Sequence, residues 1–410
     1  MLDTAQPNSD SEGSKMTGRH LEGHGARSTN APKIISVVFL AFIFLPGLMG
    51  VTGLRTDFDL QLEQRPRTPF PALLSSHSDF DTVSREFEAA YLDHIGFRRH
   101  LIKLHSYLKA ALFGVPPNNR TVFGIDGWMY TAGGPVDIFL SKVRFDAKHA
   151  GPKWFDFLET RNELAKKASA IYKFTVAPDK LDIYPEYFPP RLGRRGPVDF
   201  LAEFGSCCGL QALGYVPLRD RLVERKFDFD LPIYYRTDFH WNQYGAEIAV
   251  ELLIEEVAKE NSTIPRLSRD DLIFAKELYK TGSEAINTGL PEYFAETEPK
   301  VALNSKYWDY KSTEIVDPAK LVSGSYRTLT TKSLLVTARL RTLVIHDSFG
   351  DQWINYFPRS FGEVIAVGTR AILSHETVRL LIEIWKPDVI IEELAAAKLT
   401  MTPPERPTTH

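Results

Sequence analysis

The chain has 410 residues, of which 43% are hydrophobic and 25% are charged, and its formal net charge is −3. This composition is typical of a globular protein, and the length leaves room for one domain with tails and insertions. A nucleic-acid-binding domain would be basic, so the charge predicts no nucleic-acid partner. The two cysteines, Cys207 and Cys208, are adjacent in the sequence. Either they form a strained vicinal disulfide or they are free thiols. They lack metal-ligand spacing, so we expect no metal and no cofactor.

The N-terminal part of the sequence predicts a membrane anchor. Residues 1–33 are polar and predict a disordered cytoplasmic tail, whereas residues 34–54 contain no charged side chain. About 20 apolar residues are needed to cross a bilayer as a helix. Lys33 and Arg27 precede the run, so the positive-inside rule places the rest of the chain in the periplasm. A cleaved signal peptide or a buried core helix are the alternatives.

The region after the anchor predicts a linker and then a folded domain. Residues 55–79 include a proline-rich stretch and predict the linker. Residues 80–113 mix aromatic and charged side chains with helical periodicity, and Gly96 predicts a break between two amphipathic helices. The domain itself is predicted to span residues 80–400, followed by a Thr/Pro-rich tail that we expect to be disordered.

Within this domain the apolar pattern predicts an α/β fold. Buried strands are predicted at 168–177, 340–346, 363–367 and 388–391, and helices at 242–258 and 377–385. Strands that alternate with helices favour a parallel sheet flanked by helices. Residues 260–340 are weakly patterned and are interpreted as an insertion or a lid-like segment.

An Asp-x-His pair is the first feature that indicates chemistry. Asp238 and His240 lie in the stretch YYRTDFHWNQYG, where Pro232 and the aromatic run favour an extended chain. In an extended chain, residues two apart share a face. A carboxylate beside a histidine fixes the imidazole tautomer and stabilises its protonated form. By itself, such a pair is also compatible with an ordinary surface position.

A serine at the end of a predicted strand is the second feature. In the stretch RTLVIHDSFGDQW, Ser348 follows an apolar strand and precedes a helical pattern, at the sheet edge where α/β proteins bind ligands. The helix N-terminus would offer N–H groups to an oxyanion. Ser348 could instead be a helix N-cap without chemistry. His240, oriented by Asp238, is the predicted base, and His346 is the rival base.

Six stretches in order resemble the periplasmic alginate O-acetyltransferase proteins, the AlgX/AlgJ-like group. They lie at residues 91–102, 122–130, 176–189, 237–246, 344–349 and 385–393. The resemblance implies an SGNH hydrolase-like (flavodoxin-like) domain that is circularly permuted, with Asp-x-His before the serine. His346 stands where many relatives have glycine, and the glycine and asparagine oxyanion donors of other SGNH enzymes are not located in this sequence.

By position, the resemblance implies a catalytic triad of Asp238, His240 and Ser348. It also implies that Lys180 and Tyr184 lie at the rim of the site and bind substrate; a structural turn with a solvated lysine is the alternative. The implied activity is transfer of acetyl to hydroxyls of an exported polysaccharide through an acyl-serine. The implied partners are that polysaccharide and a membrane-bound O-acyltransferase that supplies acetyl. The domain would be held at the inner membrane by a single span. A carbohydrate esterase and a non-catalytic polysaccharide-binding scaffold remain the alternatives.

Overall fold

The structure is a computed structural model, and it describes residues 31–51, 68–70, 80–94, 98–207, 209–266, 268–279, 282–303, 313–314, 325–332 and 340–406. The chain forms two compact units, residues 1–100 and 101–410. In the first unit the backbone N–H of Thr68 donates to the carboxylate of Asp93 at 3.0 Å. Residues 1–30 of the predicted N-terminal tail, most of the linker, Gly96, Cys208 and residues 407–410 lie outside the described residues.

The described residues of the N-terminal third include three helices, namely α1 (Ala31–Val51), α2 (Phe80–His94) and α3 (Arg98–Phe113). The two helices predicted over residues 80–113 are therefore present as α2 and α3. Over the described ranges, none of the helices is both long enough and apolar enough to cross a membrane. The anchor predicted at residues 34–54 is not confirmed and stays a prediction.

The remaining elements follow in chain order. The helices are α4 (Gly134–Phe139), α5 (Ala150–Lys167), α6 (Lys180–Ile183), α7 (Phe200–Ser206), α8 (Arg219–Arg225), α9 (Gln243–Glu260), α10 (Ser283–Asn287) and α11 (His375–Trp385). The strands are β1 (Thr121–Phe123), β2 (Met129–Thr131), β3 (Ile171–Ala177), β4 (Tyr215–Pro217), β5 (Leu272–Tyr279), β6 (Glu296–Leu303), β7 (Thr313–Glu314), β8 (Ser325–Lys332), β9 (Arg341–His346), β10 (Glu363–Thr369) and β11 (Val389–Ala395).

A seven-stranded sheet forms the centre of the second unit, in the order β4-β3-β11-β9-β10-β8-β7. The first five strands in this order run parallel to one another, whereas β8 is antiparallel to both β10 and β7. Val344 and Val364 pack into one core cluster, and Leu343 and Ile365 pack into another. Alternate side chains therefore enter cores on both faces, which explains why these strands are continuous apolar runs in the sequence.

The predicted α/β fold with a parallel sheet flanked by helices is confirmed, and the predicted strands correspond to β3, β9, β10 and β11. Residues 260–340, predicted to be an insertion, have a more mixed structure. They contain an antiparallel pair, β5 and β6, but they also contribute β7 and β8 to the edge of the main sheet. The parallel strands β3, β11 and β9 end together, and this carboxyl edge carries the residues with predicted chemistry.

Candidate active site

The structure brings Asp238, His240 and Ser348 together. Asp238 Oδ1 lies 2.7 Å from His240 Nδ1, and His240 Nε2 lies 2.8 Å from Ser348 Oγ. A carboxylate can only accept a hydrogen bond, so the proton of a neutral imidazole lies on Nδ1 and Nε2 is free to accept the serine proton. The arrangement has the geometry of a nucleophile, a base and a group that orients the base.

The loop that carries His240 is a tight hairpin. An antiparallel bridge joins Tyr234 to Trp241, and the N–H of Tyr235 donates to the carbonyl of His240 at 3.3 Å. The Trp241 indole Nε1–H donates to the carbonyl of Phe349 at 2.8 Å. That hydrogen bond joins the histidine loop to the turn that carries Ser348, so the two parts of the site are held in register.

Four donors surround the carboxylate of Asp238. Its Oδ1 accepts from the His240 backbone N–H at 3.0 Å as well as from the ring, and its Oδ2 accepts from Ser283 N at 2.8 Å and Tyr279 OH at 3.2 Å. Burial by itself raises the pKa of Asp238, but the His240 hydrogen bond and charge and the backbone donors together hold that pKa far below its usual range. Asp238 therefore stays ionised beside the imidazole.

A close contact places Ser283 against Asp238. Gly282 packs on Thr237 so tightly that a Cβ at this position would come within 2.2 Å of the Thr237 hydroxyl. Only glycine leaves room for this approach, which brings the next N–H to the carboxylate of Asp238. On its other side, the Thr237 hydroxyl donates to Glu296 at 2.6 Å, and this buried carboxylate also accepts from the Thr237 N–H.

Lys180 is buried beneath the same loop. Its Nζ donates to the carbonyls of Tyr235, Arg236 and Asp238 at 3.1, 3.1 and 2.7 Å. The side chain is 1% exposed, and this burial lowers the pKa of Lys180 to about 8. Three backbone acceptors on one ammonium group fix the path of the chain into Asp238.

The rim position predicted for Lys180 and Tyr184 needs correction, because both side chains are buried. Tyr184 OH accepts a hydrogen bond from the N–H of Ile233 at 3.0 Å, and its ring packs on Trp128. Both side chains form hydrogen bonds with the backbone of the segment that leads to His240.

The turn that carries Ser348 differs from the predicted strand-to-helix junction. Ser348 is exposed immediately after β9, but a 3-10 helix, Gly350–Gln352, follows it. The Phe349 N–H donates to Asp347 Oδ1 at 3.0 Å, so it is not available to an oxyanion. A Cβ on Gly350 would lie 2.4 Å from the Cβ of His346, so this glycine is required for the close turn.

His346, the rival base, is buried at the end of β9. Its Nδ1 lies 2.6 Å from the carbonyl oxygen of Asp347, so the backbone occupies this ring nitrogen. The histidine in hydrogen-bond contact with the Ser348 hydroxyl is His240. The geometry therefore favours His240 as the base.

A buried pair of acids supports the turn from below. The carboxylate of Asp347 accepts from Phe349 N and from Ala395 N, and it lies 3.1 Å from Lys398 Nζ. Asp347 N donates in turn to the buried Glu393. Burial, together with the charge of Asp347, raises the pKa of Glu393 far above its usual range. When Glu393 is neutral, it does not repel the neighbouring carboxylate of Asp347, which faces Lys398.

Several of these contacts were missed from the sequence. Tyr279, Ser283 and Glu296 come from the region interpreted as an insertion, and no spacing or motif singles them out. Glycine at position 282 next to a serine is the only local signal, and it is a weak one. Throughout the described ranges, no cluster of His, Cys, Asp and Glu could hold a metal ion.

The fold, a parallel sheet flanked by helices, is that of SGNH hydrolase-like proteins. Residues 121–293 match the sequence model of the family described as "SGNH hydrolase-like domain, acetyltransferase AlgX". The predicted resemblance to the AlgX/AlgJ-like group is thereby confirmed. The matched region contains Asp238 and His240 and ends before Ser348. No curated protein matches the chain.

Solved structures with a similar fold include three bacterial proteins. The O-acetyltransferase domain of Pseudomonas putida AlgJ is 17% identical, with a TM-score of 0.45 over 69% of this chain and 93% of that one. Bacillus cereus PatB1 is 13% identical, with a TM-score of 0.48 over 69% and 97%. Pseudomonas aeruginosa AlgX is 13% identical, with a TM-score of 0.42 over 68% and 65%.

Proposed function

We propose that this chain is an O-acetyltransferase that moves acetyl to hydroxyls of an exported polysaccharide through an acyl-serine intermediate. The observation that supports it is the continuous hydrogen-bonded path from Asp238 through His240 to the exposed Ser348 hydroxyl. A serine that only caps a helix would not require a histidine at 2.8 Å from its hydroxyl. A non-catalytic scaffold would not require an ionised carboxylate hydrogen-bonded to that histidine.

The first half-reaction forms the acyl-serine. His240 Nε2 takes the proton of Ser348 Oγ while that oxygen attacks the acetyl carbonyl of an ester or thioester donor. The tetrahedral intermediate collapses, the bond to the leaving group breaks, and His240 returns its proton to that group. Asp238 stabilises the imidazolium and remains a carboxylate throughout.

The second half-reaction repeats these steps with an acceptor. His240 takes the proton of a sugar hydroxyl, whose oxygen attacks the acetyl carbon and forms the new ester. The bond to Ser348 Oγ then breaks, and the proton returns to the serine. Water in place of the sugar would give hydrolysis, so transfer depends on how the acceptor is held against solvent.

The oxyanion needs hydrogen-bond donors that the protein does not use itself. In the part of the chain that the structure describes, the backbone N–H of Ser348 has no acceptor, unlike that of Phe349. We therefore assign the Ser348 N–H as one donor to the oxyanion. It lies on the nucleophile itself, which keeps it close to the carbonyl under attack.

The cellular setting is part of the proposal. We propose that the domain works in the periplasm, held at the inner membrane by residues 34–54. A membrane-bound O-acyltransferase would supply acetyl from the cytoplasmic side. The apolar run and the basic residues before it support this orientation.

Trapping the intermediate tests the function directly. The purified chain is incubated with a chromogenic acetyl ester, with and without oligosaccharide acceptors, and digested for mass spectrometry. We expect acetyl on Ser348, and acetylated sugar when an acceptor is present. Ser348→Ala should lose on the order of 10³-fold or more in activity, whereas Ser206→Ala, at an exposed serine, should not.

Three outcomes separate the alternatives. Acetyl-serine that decays only to acetate with every acceptor indicates an esterase. Activity in Ser348→Ala equal to that of the wild type refutes the nucleophile assignment. Activity that survives His240→Ala but not His346→Ala would mean that the base is misassigned.

A further inference from the structure

A cleft lies beside the histidine loop and takes no part in the triad. It has a volume of about 270 Å³ and is open to solvent on one side. Ten residues line it: Asp126, Trp128, Tyr187, Leu231, Pro232, Tyr234, Arg236, Asn242, Glu296 and Thr297. Small-molecule pockets run from roughly 300 to 1,000 Å³, so this cleft suits a single ring-sized group.

Aromatic side chains form one wall of the cleft. Trp128 and Tyr187 stack with ring centroids 4.6 Å apart and an interplanar angle of 10°. Trp128 is 2% exposed. Across the described residues its indole N–H has no hydrogen-bond acceptor, and the nitrogen keeps some contact with solvent. A nearly buried donor without a protein partner at an open cleft is a group that a ligand or water must satisfy.

Charged side chains form the other wall. Arg236 forms a long ion pair with Glu296, in which its Nε lies 3.9 Å from the carboxylate, and its side chain is 42% exposed. The Glu296 carboxylate is already engaged by the N–H groups of Arg236 and Thr237. The guanidinium therefore keeps donors free at the cleft.

Asp126 adds an acceptor at the mouth. Its φ of 53° lies in the left-handed region, which is uncommon for a residue other than glycine. Within the described part of the chain, its exposed carboxylate has no hydrogen-bond or ion-pair partner. Asp126 and Gly127 both have positive φ in the turn between β1 and β2, which accounts for this conformation.

We propose that this cleft is an acceptor subsite that binds one uncharged pyranose unit of the glycan, an inference that rests on the proposed acetyl transfer. The ring stacks against the exposed part of Tyr187, and its hydroxyls accept from Trp128 and Arg236 and donate to Asp126. Two carboxylates and one guanidinium make the cleft negative, which disfavours a uronate carboxylate. A neutral sugar satisfies the same donors and acceptors without that repulsion.

The position of the cleft suits this role. Arg236 lies two residues before Asp238, and Asn242 lies two residues after His240, so the cleft is built on both ends of the catalytic hairpin. A sugar bound there would lie against the hairpin that carries Asp238 and His240. Remote contacts of this kind orient the acceptor hydroxyl for attack.

Calorimetry with defined hexasaccharides tests the subsite. The wild-type chain is titrated with cellohexaose, maltohexaose and mannohexaose as neutral probes, and with an oligogalacturonate of equal length. We expect at least one neutral probe to bind more tightly than the uronate. Arg236→Gln and Asp126→Asn should each weaken that binding on the order of tenfold, because each removes hydrogen bonds from a charged group.

The variants are chosen to keep the fold. Asparagine tolerates the left-handed conformation at position 126, and glutamine keeps most of the length of Arg236. Tyr293→Ala, at a tyrosine 63% exposed and outside the cleft, is the control that should bind like the wild type. Tyr187→Leu gives an independent check on stacking, with thermal melts to verify folding.

The outcomes are distinct from those of the proposed function. Tighter binding of the uronate, no binding of any neutral probe at millimolar concentration, or equal affinity in wild type and cleft variants overturns the subsite. Acetyl transfer is measured separately on the same samples. A wild type that binds neutral glycan at the cleft but forms no acetyl-serine refutes the proposed function; the cleft is then a site that binds neutral glycan and not an acceptor subsite.

Discussion

Replacing Asp238 with asparagine separates the hydrogen-bonding role of this residue from its shape. The aspartate accepts four hydrogen bonds, two at each oxygen, from His240, Ser283 and Tyr279. Asparagine has one accepting oxygen and an amide that only donates. Whichever way it turns, two of the four donors face an NH₂ group. The variant cannot restore the native network in either orientation.

The two orientations fail differently. If the amide faces His240, it donates to Nδ1 and moves the imidazole proton to Nε2, which then cannot accept from Ser348. If it faces the other way, the Ser283 N–H is left buried without a partner, and the imidazolium loses its counter-charge. Loss of the correct tautomer in such a triad costs about 10⁴-fold in kcat. The unsatisfied donor costs roughly 1–3 kcal/mol of stability.

The pH dependence adds a second measurement. The folded-state pKa of Asp238 is depressed below its ordinary 3.8, so its stabilising effect is present above that value and is lost as pH falls through the folded-state pKa. The stability gap between wild type and Asp238→Asn should therefore be constant near neutrality and shrink on acidification below about 4. Urea titrations across this range measure the gap.

Ester turnover and urea melts of three proteins complete the test: wild type, Asp238→Asn, and Asp220→Asn as a control at a side chain that is 91% exposed. The control should match the wild type in both assays. If Asp238→Asn turns over within tenfold of the wild type, the carboxylate does not set the imidazole tautomer, and the triad as described here is refuted.

Three further results are expected. Ser348→Ala combined with His240→Ala should be little slower than either single variant in ester turnover, because the two act as one unit; additive losses would contradict this. Burial lowers the pKa of Lys180 to about 8 from 10.5. Between these two values the unfolded chain keeps the Lys180 proton and the folded chain has lost it. The free energy of unfolding of the wild type, measured in urea melts, should therefore rise by up to about 3 kcal/mol relative to that of Lys180→Met from pH 8 to 10.5. Free energies of the two proteins that change in parallel with pH would contradict this. A reporter fused after residue 60 should be active only in the periplasm, and cytoplasmic activity would exclude the proposed topology.

The parts of the fold that the sequence predicts are those that are buried on both sides. β9 and β10 are runs of β-branched and aliphatic residues because both of their faces pack into cores. β5 could not be recognised in this way. Only Leu272 of its eight residues is buried, so there is no alternation of apolar and polar side chains to detect.

The candidate site follows the same division. Asp238, His240 and Ser348 could be named from the sequence because their residue types carry chemistry in recognisable local contexts. Ser283 acts through a backbone N–H, and any residue type can supply that group. Contacts made by the backbone across long sequence separations leave no trace in residue identity, and only the fold reveals them.

The two halves of the array are supported by buried charges of similar design. Lys180 gathers three carbonyls of the loop that leads to Asp238, and Asp347 gathers two backbone N–H groups at the turn that carries Ser348, with Lys398 as its counter-ion. A charge that is buried among backbone groups is costly to displace, since its partners would be left unsatisfied. The geometry of the array is therefore set before any substrate arrives, and the proposed reaction needs no reorganisation of the loop or the turn. Substrate selection is left to the exposed surfaces around this rigid centre, where the histidine hairpin meets solvent.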